Sequence, residues 1–82
     1  MKKFNHIWVG YGKNKNYVCA EWVHEDAVEA FKKEVVAKHR ERGWMKDFCF
    51  IENMEPCVAD ENGFGSIWAI GEDGKHGVYR VA

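Results

Sequence analysis

The chain contains no leucine, and this restricts its fold more than any motif it carries. Core volume must come from nine Val, four Ile, five Phe, four Trp and three Tyr. These β-branched and aromatic side chains fit a pleated surface and favour strands. At 82 residues the chain is one domain, because two halves would each lack a core. Apolar residues make up 46% and charged residues 30%, which excludes disorder, collagen and a disulfide-dense toxin. Thr and Gln are also absent, and Ser66 is the only serine, so most hydroxyl nucleophile chemistry is excluded.

Period-two alternation predicts a strand from Phe4 to Tyr11, with Ile7, Val9 and Tyr11 on one face and Phe4, His6 and Trp8 on the other. Residues 12–16 are turn formers. A second strand, Tyr17 to Val23, then completes an antiparallel hairpin. A helix is expected over about residues 27–42. Asp26 with Glu29 reads as a capping box, and Gly43 reads as the C-terminal stop. Ala27, Val28, Phe31 and Val35 form its apolar stripe, and Trp44 is expected to fold back on the last turn. Strands follow at Asp47–Met54, Gly65–Ile70 and His76–Val81. Residues 55–65 read as an irregular segment, and residues 71–75 as a turn with Gly74 left-handed.

The resulting fold class is α+β: a four- to five-stranded, mostly antiparallel sheet with one helix on one face, in the order β-β-α-β-β-β. One helix covers one sheet face, yet the strands carry apolar groups on both. If Ile7, Val9, Val18, Ala20, Trp22, Phe48 and Phe50 meet the helix, then Phe4, Trp8, Tyr17, Cys49 and Ile51 face away. Such a face marks an interface, or it is covered by residues 55–65, or one strand is shifted by one residue.

Net charge is −1, which does not by itself indicate a nucleic acid or a membrane partner. Residues 1–46 carry +4 and residues 47–82 carry −5. The basic start is not followed by a signal-peptide core, and no run is long enough for a membrane span. Cys19, Cys49 and Cys57 are odd in number and lack metal or redox spacing, so free thiols in a cytoplasmic protein are expected.

No catalytic motif emerges. Gly65-Ser66 is not a nucleophile elbow, and nothing in the spacing of the four His and three Cys selects a catalytic pair. There is no Cys-x-x-Cys or His-x-x-x-His, so no metal is expected, and no glycine pair opens a helix as a phosphate loop would. No cofactor is implied. Aromatics between glycines, Tyr11 and Phe64, stand where a partner can reach them, with Lys13 and Lys15 following the first.

No motif matches a named family. The layout resembles small phage- or mobile-element-encoded inhibitors of bacterial defence, such as anti-CRISPR proteins, through Tyr17–Glu21 before the helix and Ile67–Val81 at the end. The β-grasp layout is also similar. The first resemblance implies a non-enzymatic domain that occupies a partner's surface, the partner being another protein or a second copy. Trp8, Tyr11, Lys13, Lys15, Tyr17 and Phe64 are the candidate contacts. Two alternatives stand beside it. One is a nucleic-acid or nucleotide binder with Trp8, Tyr17 and the Lys13/Lys15 loop as platform. The other is a small Cys/His enzyme.

Overall fold

The computed structural model describes residues 2–12, 16–43, 47–53 and 55–82, with the side chain of Val18 excepted. The expectations for Lys13, Lys15, Trp44 and Met54 lie outside the described residues. β1 (Lys3–Tyr11) and β2 (Asn16–His24) form the expected antiparallel hairpin. Their register changes partway. Val9 pairs with Cys19 but Gly10 pairs with Tyr17, so Val18 is an extra residue in β2. Such a bulge shifts side-chain alternation by one.

The chain leaves β2 through a 3₁₀ turn, Glu25–Ala27, and enters α1 (Val28–Glu41). The Asp26 capping box does not form. The buried His24 caps the turn instead, its Nδ1 accepting from the Asp26 N–H at 3.1 Å. Gly43 ends the helix as expected, at φ +81°, where a side chain would be strained. Val28 and Phe31 are buried against Ile7, Val9, Val23 and Ile70, with Val35, Phe48 and Phe50 packed around them. Each such side chain contributes about 1.5–3 kcal/mol by leaving water.

β3 (Phe48–Glu52), β4 (Cys57–Val58), β5 (Gly65–Ile70) and β6 (His76–Val81) follow. The sheet thus has six strands rather than four or five, in the order β3-β1-β2-β5-β6, with β4 also on β1. It is mixed, because β2 and β5 run parallel while the other pairs are antiparallel. The additional strand comes from the segment expected to be irregular.

That segment closes the sheet on itself. On one side β4 pairs with Lys3 and Phe4 of β1, and the Ala59 N–H donates to the Lys2 carbonyl. On the other side Ala59 bridges Val81, and the Asp60 N–H donates to the Arg80 carbonyl. The far end of β1 is therefore inside a small barrel. Phe4, expected to face away from the core, is fully buried there, in ring contact with His24 and Tyr79.

Candidate functional site

Paired residues share a sheet face, so the register sorts the strands into two sides. Ile7, Val9, Phe48 and Phe50 lie on the helix side as expected. Ala20 and Trp22 do not. They pair with Trp8 and His6, on the side away from the helix. The Val18 bulge is the reason: it puts Tyr17 on the same side as Ala20 and Trp22, despite the odd spacing.

The side away from the helix is closed at the Phe4 end and open at the other. At the open end Trp8, Tyr17 and Ile51 are 44%, 45% and 42% exposed. His6 stacks on Trp22 with ring centroids 4.5 Å apart and planes 15° from parallel. Trp8 lies 5.3 Å from His6 and edge-on to Tyr17 at 5.9 Å. The four rings form one row across β1 and β2, with Ile51 beside Trp8 on β3. Gly10 makes room for the row. A Cβ there would lie 2.9 Å from Cys49 Sγ and 3.2 Å from the Tyr17 ring, so the ring crosses β1 at that position.

The strand residues of this side include no Asp, Glu, Lys or Arg among the described residues, and the ion pair of Lys2 with Glu72 lies at its closed end, beside Tyr79 and His24. β1 contributes Phe4, His6, Trp8 and Gly10, and β2 contributes Tyr17, Ala20, Trp22 and His24. Cys49 and Ile51 come from β3, and Ile67, Ala69, Gly77 and Tyr79 from the last hairpin. The helix side, in contrast, holds Glu21, Glu52 and Arg80.

The structure does not bring all the expected contacts together. Trp8 and Tyr17 share the open face. Tyr11 is half-buried and sits on the helix side, paired with Phe48. Phe64 is fully exposed at the start of the last hairpin, apart from the row. Sequence reasoning missed Trp22 as a member of the row, because the bulge is invisible in the period; it put His6 on the face of Trp8 but did not count it as a contact. It also missed Trp68, 59% exposed on the helix side beyond α1 and stacked on His76 at 5.4 Å. Trp68 shares its face with the buried Ile70, so alternation alone gives no signal that it is exposed.

The chemistry of the remaining groups is modest. Burial, then the nearby Glu21 carboxylate, pushes the Cys19 thiol up, the opposite of what an activated nucleophile needs. Among the described residues no group of three or more His, Cys, Asp or Glu is placed to hold a metal. A cleft of about 720 Å³ runs beside the closing segment, but its Lys2 already lies 3.6 Å from Glu72 and over the Tyr79 ring. No helix of the described residues is long and apolar enough to cross a membrane. Comparison with protein-family models, curated proteins and solved structures gave no match.

Proposed function

We propose that this domain is a non-enzymatic protein-binding module whose contact surface is the open aromatic row, with Trp8, Tyr17 and Trp22, and Ile51 beside it. The observation that carries this reading is a sheet side whose described strand residues carry no formal charge, in a chain that is 30% charged, with large apolar groups exposed at one end. Charge depletion with aromatic enrichment is the compositional mark of an interface core. The domain acts by occupying its partner's surface. That is also the mode implied by its layout resemblance to small inhibitors of bacterial defence. A nucleic-acid platform would need free cations beside the exposed rings to meet phosphates, and Lys2, on this side, lies at the closed end and is paired with Glu72.

A photo-cross-linking amino acid at position 8, with the same group at the exposed position 41 as control, tests this in cells that express the chain. The expected result is a protein adduct, with another protein or with a second copy, from position 8 only. Its purified partner should bind the Trp8→Glu variant at least about tenfold more weakly. Equal adducts from both positions, or an adduct with nucleic acid, overturn the reading.

A further inference from the structure

A second surface lies on the other side of the molecule. β3 stands at one end of the sheet order, so its outer edge presents backbone N–H and C=O groups without a neighbouring strand among the described residues. Alongside that edge runs a groove of about 370 Å³ between β3 and α1. Its floor is Val36, Ala37 and Phe50, and its walls carry Lys32, Lys33 and Arg40. Lys32 is committed: its Nζ lies 2.7 Å from Glu52 Oε1 and 5.7 Å from the Phe50 ring centre. That pair neutralises the one carboxylate β3 presents here. Lys33 and Arg40, two turns apart on one stripe, form no ion pair among the described residues.

We propose that this edge and groove together receive an extended acidic peptide. The peptide adds as a strand to the outer edge of β3, where main-chain hydrogen bonds hold it. Its alternate side chains lie over Phe50 and Val36, with carboxylates at Lys33 and Arg40. Charge selects the occupant. The cations beside the edge repel a second copy of the same edge and attract a strand of opposite sign. This surface uses no side chain of the aromatic row, although Ile51 lies on β3, and it does not depend on the role of the row.

The test uses the full chain and two capped seven-residue probes, one alternating Glu with Val and one alternating Lys with Val. Binding is followed by backbone amide shifts and by hydrogen exchange. The Glu peptide should bind at least about tenfold more tightly than the Lys peptide. It should also slow exchange at those β3 amides between Phe48 and Glu52 that do not donate to β1. Lys33→Glu with Arg40→Glu, both exposed and checked for unchanged helix content, should abolish the preference, and Trp8→Glu should leave it intact. Equal binding of the two peptides overturns the proposal. So does Glu-peptide binding without new protection on β3. Binding of an oligothymidylate or of anionic vesicles as tight as that of the Glu peptide, and equally sensitive to the double variant, also overturns it by making the groove a general anion patch.

Discussion

The rings of Phe4 and Tyr79 lie 4.7 Å apart, although β2 and β5 separate their strands in the sheet. Three strand spacings in a flat sheet would put them about 14 Å apart. The sheet must therefore coil until β6 meets β1 again, and the segment from Cys57 to Asp60 fills the remaining gap. This closure explains why the side away from the helix is dry at Phe4 and open at Trp8. The domain covers half of its second apolar face with its own chain and leaves the rest for contact.

Ala59→Pro tests that closure. The substitution removes the N–H that donates to the Lys2 carbonyl at 2.8 Å, at a point where the chain bridges Val81. A loss of about 1–3 kcal/mol in urea unfolding is expected, from an acceptor left without its donor. Hydrogen exchange at Asp60 should speed up as well. An unchanged unfolding midpoint would mean that the barrel end contributes nothing to stability.

Phe31→Ala should cost about 3–5 kcal/mol, the range for emptying a core aromatic site, because Phe31 is buried between the helix and the sheet. Trp8→Ala, at a residue 44% exposed, should cost less than about 1 kcal/mol. Denaturant titration of both variants gives the contrast. A Phe31→Ala loss below about 1 kcal/mol would place Phe31 outside the core.

The strands and the helix were legible because each carries its own period: alternation in β1, β5 and β6, and the Val28-Phe31-Val35 stripe in α1. What was not legible depends on partners distant in sequence. Cys57 and Val58 are two residues beside a proline, too short to show any alternation, and become a strand only because β1 pairs with them. The Val18 bulge leaves the apolar pattern of β2 intact while moving Ala20 and Trp22 to the other side. The helix cap was misplaced because the 3₁₀ turn puts His24, not Asp26, at the entry. Of the six candidate contacts, Trp8 and Tyr17 meet because both belong to one ladder. Tyr11 is one residue out of phase with them along β1.

Cys19 should be a slow thiol despite its partial exposure. Burial and the neighbouring Glu21 charge both disfavour its thiolate, so its pKa is raised. A raised pKa leaves less thiolate at pH 8, and alkylation rises only at more alkaline pH. Iodoacetamide labelling read by peptide mass spectrometry should therefore be slower at Cys19 than in an unfolded peptide of the same sequence. Glu21→Gln should speed it. Equal rates in the folded chain and the peptide would remove both causes.

The aromatic row depends on the missing side chain at Gly10. A methyl group there would lie 2.9 Å from Cys49 Sγ and 3.2 Å from Tyr17 Cδ1, closer than carbon and sulfur tolerate. Gly10→Ala should force the Tyr17 ring off β1 and cost about 1–3 kcal/mol, as overpacking does. The same displacement should loosen Trp8, which meets Tyr17 edge-on, and weaken the near-ultraviolet circular dichroism of the tryptophans. Tyr17→Ala, made in the Gly10→Ala background, relieves the contact with the ring and leaves that with Cys49 Sγ, so the two losses should be less than additive. A coupling of about 0.5–3 kcal/mol is expected from the double-mutant cycle. Additive losses would show that Tyr17 does not lie over Gly10, and the row would then have no fixed position at that end. A partner that recognises the row should lose affinity for Gly10→Ala even though the substitution adds only one methyl, because the ring it reads has moved.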